Sequence, residues 1–153
     1  GKTTLLNIIL GKLEKDSGKC SLGQNVKPGF LSQKNENLDE NKTIMQELEH
    51  LYLTETQIRT SLGNFLFRRE DVFKKIKDLS GGEKIRLSLL KLILQGCNFL
   101  VLDEPSNHLD IKSKEILSDA LDEFEGTILV VSHDMDFLKR FATRYEEIAD
   151  GLL

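Results

Sequence analysis

An α/β fold built on a mostly parallel sheet is predicted by three features of the chain. The apolar run Phe99-Leu100-Val101-Leu102 stops abruptly at Asp103-Glu104-Pro105, as a strand buried on both faces does when it reaches a polar rim. A second run, Thr127-Ile128-Leu129-Val130-Val131, stops at Ser132-His133-Asp134. Between them lies a helical pattern from Ile111 to Phe124, closed by Gly126, so strand, helix and strand follow one another. Pro105 has no N–H for a sheet ladder, so the first strand must end there and leave Asp103 and Glu104 at the edge of a crevice. Ligands of open α/β sheets bind at that edge. Two adjacent acids there could hold Mg²⁺ and position a water, although a strand that merely ends in a polar loop reads the same way.

Composition bounds the problem. The 153 residues, 39% apolar and 30% charged, fit one domain with a sizeable core. A net charge of −4 argues against non-specific nucleic-acid binding by this chain alone, since phosphate neutralisation needs a basic excess, but it leaves room for a local basic patch. Cys20 and Cys97 have no metal-type spacing and are expected to be small core residues of a reduced, cytoplasmic protein. No apolar run approaches the ~20 residues that span a bilayer, and no signal peptide is expected. The chain opens at Gly1 without Met and is expected to be a fragment of something longer.

In order, Gly1-Lys2-Thr3-Thr4 runs into Leu5, Leu6, Ile8, Ile9 and Leu10 and stops at Gly11, the pattern of a helix with a glycine at its C-terminus. Its start is the back half of the phosphate-binding pattern G-x-x-x-x-G-K-[ST], in which helix N–H groups cradle phosphates, lysine reaches the β/γ-phosphates and the hydroxyl binds Mg²⁺. After an Asp16-Ser17-Gly18 turn, strands are expected at Lys19 to Leu22 and at Val26 to Leu31, the latter interrupted at Pro28-Gly29, with Gln33 just beyond. From Thr43 to Leu62 apolar residues recur at helical spacing, with Thr54 as the cap of a second helix. Phe65, Leu66 and Phe67 read as packing residues or as a nucleotide stack. Lys74-Lys75-Ile76-Lys77 reads as a solvated face or as a partner-facing basic patch. Ser80-Gly81-Gly82-Glu83 is a capping box heading a helix from Lys84 to Leu94. Paired glycines in a first turn are costly, and an anion that needs bare N–H groups would justify them. His133, at a strand end, is a candidate polar contact, whereas His50 and His108 read as surface or loop residues. A helix from Phe137 to Thr143, a strand near Tyr145 to Ala149 and an Asp150-Gly151 turn close the chain.

Taken together and in this order, these residues resemble the ATP-binding cassette (ABC) ATPases over essentially the whole chain. The resemblance rests on the end of Walker A (Gly1-Lys2-Thr3-Thr4), the Q-loop Gln33, the signature Leu79-Ser80-Gly81-Gly82-Glu83, Walker B from Leu100 to Asp103 with Glu104, the D-loop around Leu109-Asp110, and the switch His133. Asn107-His108-Leu109-Asp110 looks like the F-type cassettes, which usually carry Thr where this chain has Ser106. The resemblance implies a P-loop NTPase of the ABC type, with a helical signature subdomain at 36–95 and an α/β core at 1–35 and 96–153. F-type proteins carry two cassettes in one chain, have no membrane domain, and act at the ribosome as translation or antibiotic-resistance factors. Only residues 34 to 79 separate Gln33 from the signature serine, without the helical arm common in first cassettes, and Leu62 to Phe73 looks like a second cassette. The chain is therefore expected to be the C-terminal cassette, truncated within Walker A and poorly active by itself.

The family's roles carry over to ATP and Mg²⁺. Lys2 would neutralise the β/γ-phosphates, Thr4 would lie near the α-phosphate, and Thr3, Asp103 and Gln33 would serve the metal. Glu104 would polarise the attacking water, with Gln33 and His133 sensing the γ-phosphate. Ser80-Gly81-Gly82 would act in trans on the ATP of a second cassette. Ribosomal rRNA and tRNA are the further partners implied. The alternative is the ATP-binding subunit of a membrane transporter. A chromosome-maintenance cassette would need a coiled coil within residues 34 to 79, and no heptads occur there.

Overall fold

The computed structural model describes residues 1–32, 37–107 and 109–147. Three strands form one parallel sheet in the order β1 (Pro28–Leu31), β2 (Phe99–Asp103), β3 (Thr127–Val131). In register, Pro28 pairs with Phe99 and Leu31 with Leu102, while Phe99 pairs with Thr127 and Asp103 with Val131. β2 is therefore laddered on both sides, and Leu100, Val101 and Leu102 are fully buried, which is why its sequence is continuously apolar rather than alternating. β3 agrees with its expected bounds residue for residue.

The helices are α1 (Lys2–Ile9), α2 (Ile44–Leu48), α3 (Glu55–Asn64), α4 (Gly81–Leu94), α5 (Ile111–Asp122) and α6 (Met135–Leu138). Gly11, at φ +69°, ends the first one in the left-handed conformation that glycine adopts freely. Three capping boxes start α2, α3 and α4, at Thr43/Gln46, Thr54/Gln57 and Ser80/Glu83. Each satisfies two orphan donors reciprocally, so local chemistry fixes these starts. One core joins the helical residues Ile44, Leu48, Ile58, Leu62, Leu87, Leu90, Leu117 and Leu121 to Leu31, Leu100 and Leu102 of the sheet.

Several expectations are corrected. Lys19 to Leu22 is not a strand: among the described residues no strand lies beside it, and a lone extended segment has no ladder for its N–H and C=O groups. Pro28-Gly29 does not interrupt a strand but begins one, Pro28 standing at the first position, where its missing N–H matters least. The helical stretch Thr43 to Leu62 divides at a 3₁₀ turn at Glu49–Leu51 and at Tyr52, whose φ of +55° no helix tolerates, and resumes as the second helix expected from the Thr54 cap. The helix expected at Phe137 to Thr143 is the shorter α6, which starts earlier because Asp134 caps it. Tyr145 to Glu147 is irregular; the rest of that expected strand, the Asp150-Gly151 turn, Gln33 and His108 lie outside the described residues. Cys20 is exposed rather than in the core, and Cys97 is half-buried. Phe65 and Phe67 are buried as packing residues, whereas Leu66 is exposed at φ +56°. Lys74, Lys75 and Lys77 are exposed around the buried Ile76, and Lys74 pairs with Asp71 at 2.7 Å.

Candidate functional site

The C-terminal ends of β2 and β3 face the N-terminus of α1, and three pairs of side chains meet there. Thr3 Oγ1 donates to Asp103 Oδ2 at 2.8 Å. Lys2 Nζ lies 2.7 Å from His133 Nε2. The same Nε2 lies 3.3 Å from Glu104 Oε1, and the His133 backbone N–H donates to Glu104 Oε2 at 3.3 Å. Residues about 100 and 130 positions apart converge because β2 delivers its acids and β3 its histidine at one edge of the sheet.

Glu104 is held against its own preference. Its φ of +51° is left-handed, a region that non-glycine residues enter at a cost. Its N–H donates to Val131 O at 2.8 Å and its C=O accepts from Asn107 N at 3.2 Å, and these bonds turn the carboxylate back toward His133. Glu104 and Asp103 are both buried, while the His133 imidazole is mostly exposed. A single Nε2 cannot serve both neighbours at once. It accepts from the Lys2 ammonium when its lone pair is free, and donates to Glu104 when it carries a proton. Behind these groups, Ser106 Oγ and Ser132 Oγ lie 3.2 Å apart and tie the loop after β2 to the end of β3.

α1 begins at Gly1 with no side-chain cap, so its leading N–H groups have no side-chain partner and, beside Lys2, suit an anion such as phosphate. Thr3 and Thr4 are exposed on that first turn. Thr3 and Asp103 offer the hard oxygen donors that Mg²⁺ prefers, and Mg²⁺ takes one or two protein oxygens and completes its shell with water and phosphate oxygens. No cluster of three acidic, His or Cys side chains stands among the described residues to bind a metal unaided. The donor set therefore fits a metal that arrives with a phosphate.

The structure does not bring Ser80, Gly81 and Gly82 into this cluster. They head α4 beside α5, where Ser80 Oγ accepts from Glu83 N at 3.2 Å. A Cβ on Gly82 would come within 3.0 Å of Ser113 Oγ, whereas one on Gly81 would meet open space. Packing against α5 thus accounts for one of the two glycines. Two connections had no local signal in the sequence: the Ser106–Ser132 hydroxyl pair, and the 2.6 Å ion pair between Lys114 on α5 and Asp134 after His133.

The family profile described as ABC transporter matches residues 1–107. Among curated proteins, the chain is 50% identical to YdiF of Bacillus subtilis over 153 residues, 99% of this chain and 24% of that protein. It is 40% identical to the energy-dependent translational throttle protein EttA of Escherichia coli over 156 residues, 98% of this chain and 28% of that protein. It is also 40% identical to ABC transporter F family member 5 of Arabidopsis thaliana over 158 residues, 100% of this chain and 23% of that protein. The chain thus spans about a quarter of the length of these relatives. Among solved structures, a bacterial ABC transporter cassette determined as a dimer superposes with a TM-score of 0.74 at 22% identity, over 92% of this chain and 73% of that one. The archaeal ribosome recycling factor aABCE1, in complex with a ribosomal stalk protein, superposes with a TM-score of 0.72 at 25% identity, over 92% of this chain and 28% of that one.

Proposed function

The chain belongs to the ABC transporter family, as a cassette of the F type, and from that premise we propose that it binds and hydrolyses ATP within a longer cytoplasmic protein that acts on the ribosome. The observation that carries this reading is the convergence of Lys2 and Thr3 at the head of α1 with Asp103, Glu104 and His133 at the strand ends. The translational role named in EttA favours a translation or antibiotic-resistance factor over a transporter subunit. No helix among the described residues is long and apolar enough to cross a membrane.

In this reading Lys2 Nζ and the free N–H groups of α1 bind the phosphate chain, with Thr4 near the α-phosphate. Thr3 Oγ1, Asp103 and Gln33 would hold Mg²⁺, which would supply neutralisation of the charge that develops on the phosphoryl oxygens. The Glu104 carboxylate orients the attacking water and accepts its proton. His133 and Gln33 read the γ-phosphate, the imidazole exchanging its bond to Lys2 for one to Glu104 or to the ligand. Positioning and charge stabilisation supply the rate, because little covalent work falls to the protein. Ser80, Gly81 and Gly82 lie apart from the cluster because they serve the nucleotide of a second cassette. The α/β core (1–35 and 96–153) binds nucleotide, and the helical subdomain (36–95) carries that trans contact. With a net charge of −4, contacts to rRNA and tRNA come mainly from other parts of the longer protein.

Glu104→Gln in the full-length protein is the test. Phosphate release should slow by about 10² to 10⁴-fold, the range for a positioned base, with ATP binding retained. The variant should co-sediment with ribosomes on a sucrose gradient when ATP is present, since a pair that cannot hydrolyse stays closed. Unchanged turnover would sink the catalytic assignment, and flotation with membranes would favour the transporter subunit.

A further inference from the structure

Asp134 follows His133 directly, and every polar group it offers is engaged. Its Oδ2 takes the Lys114 ammonium at 2.6 Å, its Oδ1 accepts from Phe137 N at 3.0 Å as the cap of α6, and its own N–H donates to Ser132 Oγ at 3.1 Å. α6 has four residues, too few to stand as an isolated helix, so it is held by this cap together with the buried Phe137 and Leu138 and the edge-on contact of Phe137 with Phe141. The imidazole that meets Lys2 and Glu104 is thus followed directly by a carboxylate that joins its segment to α5, beside the bonds from the His133 N–H to Glu104 and between Ser106 and Ser132 that hold it to the loop after β2.

Lys114 stands in the first turns of α5, where the helix dipole disfavours a cation. The acid one turn back, Asp110, is occupied as the α5 cap, accepting from Ser113 N at 2.9 Å and Ser113 Oγ at 2.8 Å. Lys114 reaches off its own helix instead, to the loop after β3. Its backbone N–H remains bonded to Asp110 O at 3.0 Å. One residue therefore touches both the loop that ends at Asp110 and the segment that carries His133. The pair is half-buried, at 36% and 27% side-chain exposure, and Lys114, first among the causes, holds the Asp134 carboxyl below its ordinary range.

We propose that Lys114 is a positioning residue for His133: through Asp134 it couples the Leu109-Asp110 loop to the placement of the imidazole between Lys2 and Glu104. The role rests on the hydrolytic reading of the site. A half-exposed ion pair adds little to stability, so its removal should act on the geometry of the reacting groups, where a displacement of about 1 Å can cost up to about 10²-fold in rate.

The test compares Lys114→Met and Lys114→Arg in the full-length protein by steady-state phosphate release and thermal unfolding. Lys114→Met should lower kcat by about 10 to 10²-fold, with KM for ATP and the unfolding temperature close to wild type. Lys114→Arg, which keeps a cation on Asp134, should recover most of the rate. A Lys114→Met protein with wild-type kcat overturns the positioning role and leaves the hydrolytic reading standing. A rate loss that tracks a lowered unfolding temperature or a raised KM, or that Lys114→Arg fails to repair, also overturns the role. A wild-type protein that does not hydrolyse ATP overturns the reading and the role together.

Discussion

Thr3 Oγ1 donates to Asp103 Oδ2 across 2.8 Å, joining the first turn of α1 to the last residue of β2. The carboxylate is buried, so the hydroxyl is a donor it would be costly to lose. Thr3→Val keeps the branched shape and removes only that donor. It should cost about 1 to 3 kcal/mol, toward the lower end because Thr3 itself is exposed, while Thr3→Ser should be near neutral. Urea unfolding of the three proteins measures this, and equal stability of Thr3→Val and wild type would show the bond to be incidental. In the full-length protein Thr3→Val should also blunt the Mg²⁺-dependence of ATP binding seen by calorimetry.

What the chain disclosed about itself divides by how local the cause is. β3 and the starts of α3 and α4 were legible because an apolar run or a Ser/Thr cap with its Glu/Gln three residues on decides them within a few residues. Lys19 to Leu22 was misread because a strand exists only through a neighbour, and periodicity carries no information about neighbours. The left-handed turn at Tyr52 that precedes α3 was not legible, because no glycine marks it. Of the site, the acids ending β2 and the histidine ending β3 were legible as strand-end residues. Lys114–Asp134, 20 positions apart and on different elements, had no pattern that points to it.

Three carboxyls lie below their ordinary value near 3.8: Asp71 through the Lys74 ammonium, Asp110 through the Ser113 N–H and hydroxyl, and Asp134 through the Lys114 ammonium and then the Phe137 N–H. A carboxyl depressed on folding stabilises the fold above its unfolded value, and that contribution is lost as pH falls through the lower folded value. For these groups, stability should hold from neutrality down to about pH 5 and decline below about pH 4. Lys74, raised by the same Asp71 pair above its ordinary 10.5, adds a contribution lost only at strongly alkaline pH. Asp134→Asn should decline less steeply than wild type between about pH 5 and 3, because one of the three titrating groups is gone. Denaturant unfolding across that range tests it, and parallel curves would show that Asp134 titrates alike in both states.

Gly29 gives the sharpest test of how β1 enters the sheet. It pairs with Leu100 in the register that lines β1 up with β2, and a Cβ there would lie 2.8 Å from Cys97 Sγ, 3.2 Å from Leu92 Cδ2 and 3.3 Å from Cys97 Cβ. No real Cβ tolerates the first of these contacts, so either the thiol or the strand must move. Gly29→Ala should therefore cost about 1 to 3 kcal/mol, as overpacking does. Burial pushes the Cys97 thiol above its usual range, making it a packing group rather than a reactive one, so Cys97→Ala removes volume with little other chemistry. With Sγ gone the severest contact is removed, leaving the approaches of 3.2 Å to Leu92 Cδ2 and 3.3 Å to Cβ of residue 97, and the double variant should be more stable than the sum of the single losses predicts by at least about 0.5 kcal/mol. Gly63, on α3, is the control: a Cβ there meets nothing within 4 Å, so Gly63→Ala should stabilise by up to about 1 kcal/mol through helix propensity alone. Chemical unfolding of the four variants reads all of these terms. Additive losses at Gly29 and Cys97 would mean that the close approach is relieved elsewhere, and that the thiol does not set the spacing between β1 and the start of β2.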